Sequence, residues 1–299
     1  MARQRLCILS RKKSLYSTSR LFEAAREQGA HPLVIDTLRC TMVVATGGNS
    51  LLYRGVEVKE LSAVIPRIGA SITAYGMSVV NHLETMNVPV VNPAPAIARS
   101  RDKLRCLQLL AQQGLDVPRT VMATRGAHVR RLVSAVGGLP CIIKLLRGTQ
   151  GVGVMIATTM TEARTIVDTF TSLGQEICLQ EFIAESSGRD VRALVVGDRV
   201  VGAMRRQARA GEFRSNIHRG GEGSPVTLEP AFLETAVKAA KLVGLDICGV
   251  DMLEGKDGPR VMELNSSPGF EGLEHATGQD VASEMVRFAL DRAAAARNS

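Results

Sequence analysis

The chain contains no tryptophan, and aromatic residues make up only 3% of its 299 positions. That scarcity excludes a core built on large rings and an aromatic RNA-binding platform such as RNP1, so the interior must be made of Val, Leu, Ile, Ala and Met. No apolar run approaches the roughly 18 residues of a membrane helix. The basic opening MARQRLCILSRKK carries only LCIL as an apolar stretch, too short for a signal-peptide core, so a cytoplasmic protein without membrane attachment is expected. The six cysteines are widely separated and include no CxxC pair, which argues against zinc and disulfides and for buried free thiols. There is no GxxxxGK[ST], and so no P-loop. A lysine-rich tail is also missing. The net charge of +8 with a pI near 9.5 suits an acidic partner, but the basic residues are dispersed and no direct nucleic-acid binding is expected.

At this length two domains are expected. Residues 5–95 alternate strand and helix signals. RLCIL and PLVID flank a helix from Thr18 to Gln28. LSAVIPRIG and VPVVN flank another from Thr73 to Met86, and residues 51–58 make a small hairpin around Arg54-Gly55. Such alternation predicts a parallel sheet with covering helices, whose ligands gather beyond the carboxyl ends of the strands. Arg67, just past one such strand, is either a substrate contact or an exposed loop arginine. The Pro- and Ala-rich NPAPAIARS reads as a domain boundary, near residue 100. Asp102 then caps a helix starting at Lys103, a cation at a helix start that either reaches out to a phosphate or is simply solvated.

CIIKLLRGTQGVGVMIA, residues 141–157, reads as strand, Gly-rich turn and strand. Lys144 lies inside an apolar strand, where a charge needs an anion or a route to water. Gly148, Gly151 and Gly153 let the backbone fold closely over phosphates. EICLQEFI follows with Gln180 and Glu181, fit either for a nucleotide base or for one solvated strand face. Asp190 and Arg192 share a face in DVRALVV, and Arg205 and Arg206 return on the next strand. The polar segment 210–223 carries Arg214, Asn216, His218 and Arg219, and loops of this length usually bind something. His218 fits an acid/base or, more often for a lone loop histidine, a plain contact.

GVDMLEGKDGPRVMELNSSPG, residues 249–269, is the stretch on which the chemistry is expected to turn. Two apolar runs around a Gly/Asp/Pro centre predict a hairpin. Alternation puts Cys248, Val250, Met252, Met262 and Leu264 on a core face, and Asp251, Glu263 and Asn265 on the other. A register symmetric about Asp257 sets Asp251 opposite Glu263, two like charges that need a cation between them. Hard oxygen donors of this kind suit magnesium.

In order, DK at 102–103, KLLRGTQGVGV at 144–154, QEFI at 180–183, DVRALVVG at 190–197, RSNIHRGG at 214–221, GVDML at 249–253 and MELNSSPG at 262–269 resemble the ATP-grasp superfamily, and most closely its RimK family. The resemblance implies a Rossmann-like pre-ATP-grasp domain over 1–100 and an ATP-grasp domain over 101–299, with a lid subdomain at 101–182 and a core subdomain at 183–299. It implies ATP held by Lys144 and by the flap glycines Gly151 and Gly153, with Glu181 and Phe182 at the adenine and Asp190, Arg214, Ser215 and Asn216 at the nucleotide. Asp251, Glu263 and Asn265 would bind two Mg2+ or Mn2+ ions. Lys103, Arg192 and Arg206 are added as positive charge around the triphosphate and the reacting acyl phosphate, the two arginines with Lys144 as catalytic groups. The expected reaction joins free L-glutamate to the C-terminus of a small-subunit ribosomal protein, and by analogy a dimer or tetramer is expected. Alternatives are a ligase acting on an amino-acid carrier protein or a glutamylated cofactor, and a non-catalytic nucleotide-responsive module on RNA or ribosomes.

Overall fold

The computed structural model describes residues 3–123, 128–145, 153–209 and 221–298. The first hundred residues form β1 (Arg5–Leu9), α1 (Tyr16–Glu27), β2 (His31–Ile35), β3 (Cys40–Val43), β4 (Ser50–Tyr53), β5 (Val56–Glu57), β6 (Ala63–Pro66), α2 (Thr73–Thr85) and α3 (Ala94–Arg101). The sheet runs β2-β1-β6 and is wholly parallel, as the alternation predicts. The strand expected at VPVVN shrinks to one bridge between Val64 and Val90, because Pro89 has no N–H to extend the pairing. NPAPAIARS, the stretch expected at the domain boundary, carries the helix α3. Pro93 occupies its N-cap and Pro95 its first turn, positions whose N–H groups have no helical partner to lose.

The next segment comprises α4 (Lys103–Gln112), β7 (Thr120–Ala123), α5 (Val129–Ala135), β8 (Cys141–Leu145), β9 (Val154–Ala157), α6 (Met160–Ser172) and β10 (Ile177–Glu181). Asp102 caps α4 as expected, its carboxylate accepting from the Arg105 N–H at 3.0 Å. The strands form an antiparallel sheet, β7-β10-β8-β9, and α5 and α6 bury Val129, Val133, Ala163 and Val167 against Ile143, Ile177 and Leu179.

β11 (Arg189–Val196), β12 (Arg199–Gln207), β13 (Glu222–Pro225), α7 (Pro230–Val243), β14 (Ile247–Gly255), β15 (Gly258–Asn265), α8 (Glu271–Thr277) and α9 (Val281–Asn298) complete the chain. The sheet order is β13-β12-β11-β14-β15. Alternation divides its strands cleanly. Val191, Ala193, Val195, Cys248, Val250 and Met252 pack beneath α7 and α4. On the opposite face Leu194, Val196, Met204 and Ile247 join Leu6, Ile8, Leu21 and the apolar side of α9 in one core. That second core fastens the N-terminal sheet to the C-terminal one. Among the described residues no helix is long and apolar enough to cross a membrane, and all six cysteines are buried free thiols, as expected.

Candidate active site

On the face that carries Leu194 and Ile247, the sheet turns from apolar to charged toward one end. Cross-strand register pairs Asp190 with Arg206, Arg192 with Asp251, and Asp251 with Glu263. The last pairing is the one predicted from the hairpin, but it arises by a different route. From Gly255↔Gly258 to Met252↔Val261 the strands run one residue out of the predicted symmetry, and a β-bulge between Asp251 and Met252 restores it. The bulge corrects one expectation: Val261, not Met262, enters the core, and Met262 lines the cleft in front.

Asp251 is fully buried, and cations stand beside it. Arg192 grips its carboxylate with two bonds of 2.6 Å, and Arg206 adds a third at 2.8 Å while also holding Asp190 at 2.5 Å. Burial by itself would raise the Asp251 carboxyl, but the two arginines outweigh it and hold the group well below the usual carboxylate range. Burial likewise works against the charge on Arg206, and Asp251 and Asp190 reverse it, raising that guanidinium. Arg206 and Arg192, expected around the triphosphate, are therefore engaged inside the sheet. The reason is electrostatic: a buried carboxylate is tolerated only when paired and fully hydrogen-bonded.

Glu263 faces the space between the two antiparallel sheets. Lys103 Nζ lies 4.0 Å from its carboxylate, and both line a cleft with Lys144, Gln180, Thr120, Met122 and Met262. Lys144 donates to the Gln180 amide oxygen at 2.6 Å, and the Gln180 amide nitrogen donates to Thr120 Oγ1 at 2.9 Å. Burial depresses the Lys144 ammonium, partly offset by Glu263. An in-strand lysine whose one hydrogen-bond partner among the described residues is a neutral amide is a cation waiting for an anion.

Gly153 closes the β8–β9 hairpin at φ +73°, and a Cβ there would lie 2.7 Å from Leu145 Cδ1. Glu181 accepts from the Arg119 N–H and from Arg260, both at 3.1 Å, tying β10 to β15, and Phe182 follows it half-buried. Gly148, Gly151, Arg214, Ser215, Asn216, His218 and Arg219 lie outside the described residues. Asn265, opposite Gly249, accepts from the Ser267 N–H at 3.0 Å. Asp251, Glu263 and Asn265 offer hard oxygens of the kind magnesium takes. Glu263 fronts the cleft, whereas Asp251 could join a metal only if an arginine gave way.

Asn92 carries no functional signal in the sequence. Buried at the end of the N-terminal sheet, it donates to the carbonyls of Ile247 and Ser266 at 2.7 and 3.0 Å and accepts from the Ile247 N–H at 2.8 Å. A lone Asn before Pro signals a turn, and nothing local marks a clamp on strands more than 150 positions away.

Comparison with known proteins agrees with this layout. Residues 4–97 match the RimK PreATP-grasp domain and residues 100–289 the RimK-like ATP-grasp domain. The chain belongs to the RimK family of ATP-grasp proteins. It is 51% identical over 281 residues to a probable alpha-L-glutamate ligase of Syntrophotalea carbinolica, covering 94% of this chain and 93% of that one. It is 52% identical over 284 residues to a protein of the same description from Teredinibacter turnerae, covering 95% and 94%. Among solved structures, ATP-grasp ligase PsnB complexed with a minimal precursor, Mg and ADP superposes with a TM-score of 0.76 at 25% identity, over 97% of this chain and 98% of that one. As a RimK-family ATP-grasp protein, the chain is an ATP-binding ligase that forms carbon–nitrogen bonds.

Proposed function

We propose that this RimK-family ligase adds L-glutamate to the C-terminal carboxylate of a small-subunit ribosomal protein by way of an acyl phosphate. The observation that carries the reading is Glu263, which fronts a cleft with Lys144 and Lys103 on its other walls and is backed across the sheet by buried Asp251 paired with Arg192. Relatives at about half identity described as alpha-L-glutamate ligases support glutamate as the amino acid. The proposed division into domains falls near residue 100, with 101–182 as lid and 183–299 as core.

A carboxylate is a poor electrophile. Transfer of the γ-phosphoryl group to one of its oxygens breaks the bond to the β-phosphate oxygen, releases ADP and leaves an acyl phosphate. Attack by the amine of glutamate on the carbonyl carbon then expels phosphate and forms the amide, with loss of a proton from nitrogen. The protein supplies position and charge, not a nucleophile. Lys144 and Lys103 would meet the phosphates across the cleft. Glu263 and Asn265, with Asp251 behind them, are the proposed ligands of divalent ions, Mg2+ foremost and Mn2+ as a substitute, which neutralise the triphosphate when bound. Arg192 and Arg206 then act as positioning residues that hold Asp251.

The test supplies ATP, Mg2+, the ribosomal protein and one labelled amino acid at a time. ADP release with glutamate incorporated at the C-terminus is expected. Incorporation at an internal lysine, or of a different amino acid only, would overturn the reading, and incorporation into a carrier protein alone would favour the carrier-protein alternative.

A further inference from the structure

Beside the nucleotide cleft, two guanidinium groups come together without a carboxylate among the described residues to balance them. Arg67 leaves the carboxyl end of β6 and donates to the Pro268 carbonyl at 2.6 Å. Arg101, the last residue of α3, donates to the Ile68 carbonyl. Among the described residues neither makes an ion pair, whereas Arg192 and Arg206 both do. Arg101 Nε is buried with no hydrogen-bond partner among the described residues, and so are the hydroxyls of Ser266 and Ser267 in the turn that presents Pro268. Burial pushes the Arg67 guanidinium down to about 10, with Arg101 adding to the effect, and burial lowers Arg101 as well. The Phe270 ring, 5.8 Å from the Arg67 guanidinium, offsets only part of this. A cation at a helix C-terminus could be serving the helix dipole, but Arg101 spends its bond on Ile68, outside α3.

The location is as informative as the charge. Ser266 and Ser267 directly follow Asn265. A Cβ built on Gly249 would stand 3.2 Å from Pro268 Cβ and 3.6 Å from Arg192 Nε, so the turn lies against the Arg192–Asp251 pair. Two residues beyond Arg101, Lys103 faces Glu263. The arginine pair thus borders the acidic ribbon on the N-terminal side, beyond a strand end of the parallel sheet where ligands of such sheets collect.

We propose that Arg67 and Arg101, with the Ser266 and Ser267 hydroxyls as neutral donors, form the subsite that holds the incoming amino acid by its carboxylates. The inference rests on the ligase reading above. A planar guanidinium matches a carboxylate with two parallel bonds. Glutamate acting as the amine keeps both of its carboxylates through the reaction, one for each arginine. A free C-terminal carboxylate of the acceptor has the same chemistry, so the experiment separates the two sources.

The full-length protein is first titrated with ADP and Mg2+ by calorimetry; a wild-type chain that binds no nucleotide would sink both the ligase reading and the subsite. The loaded protein is then titrated with L-glutamate, L-glutamine and a tri-alanine peptide with a free C-terminus. Arg67→Gln and Arg101→Gln are each expected to weaken glutamate at least tenfold, narrow its advantage over glutamine and leave ADP affinity within about twofold, with Arg101→Lys retaining part of the binding. Because each substitution removes an unbalanced cation, the unliganded variants should melt no lower than wild type. Normal ADP binding with equal glutamate affinity in wild type and variants overturns the subsite. So does loss of tri-alanine binding alone, or a wild-type chain that binds ADP but not glutamate.

Discussion

Glu263 and Asp251 face each other across two strands, yet they are different kinds of acid. Asp251 is sealed behind two arginines, and truncating it would leave Arg192 without its carboxylate and Arg206 with Asp190 alone, an expected loss of about 3–5 kcal/mol. Glu263 is 38% exposed at its side chain, and among the described residues its one ion pair is the 4.0 Å contact with Lys103. Glu263→Ala should therefore abolish ATP turnover while shifting the urea midpoint little; normal turnover in the folded variant would refute its role as a metal ligand. Lys144 gives a pH prediction. Burial depresses it in the free protein and bound phosphate would restore it, so nucleotide binding takes up a proton on the alkaline side. Affinity should fall as pH rises through a point below the ordinary lysine value, and Lys144→Met should lack that inflection. Calorimetry in buffers of different ionisation enthalpy reads the proton directly.

Among the elements, the β14–β15 ribbon was the most legible and the most instructive. Apolar alternation and the Asp-Gly turn define the hairpin, since both are local and periodic. The bulge is not local, because it depends on how Val261 and Leu264 meet the core beneath them. The flap hairpin gives the second test. Gly153 sits at φ +73° against Leu145, whose N–H donates to the Gly153 carbonyl at 3.0 Å. Gly153→Ala adds a left-handed penalty of roughly 1–2 kcal/mol and a clash with Leu145. Faster amide exchange at Leu145 and a several-fold rise in the KM for ATP are expected. An unchanged exchange rate would mean that the hairpin closes without that glycine.

Across the whole molecule, the N-terminal sheet and the C-terminal sheet share a core, and Asn92 pins the junction at the root of β14 and at Ser266. Asn92→Ala would leave the Ile247 N–H and two buried carbonyls without their partner, at about 1–3 kcal/mol for each unsatisfied group. A lower urea midpoint with a loss of turnover larger than instability explains is expected; full activity would mean that the strand is positioned by packing alone. The sequence by itself determined the parallel N-terminal sheet, the hairpin at 249–269, the buried thiols and the placing of Asp251 and Glu263 on one face of that hairpin. Each of these follows from side-chain periodicity and turn chemistry within a few residues. Tertiary structure alone decided that Arg192 and Arg206 pair with Asp251, that Val261 replaces Met262 in the core, and that Arg67 meets Arg101 without a counter-charge among the described residues. Those outcomes depend on which distant groups share a buried, low-dielectric space, where an ion must find its partner or do without one.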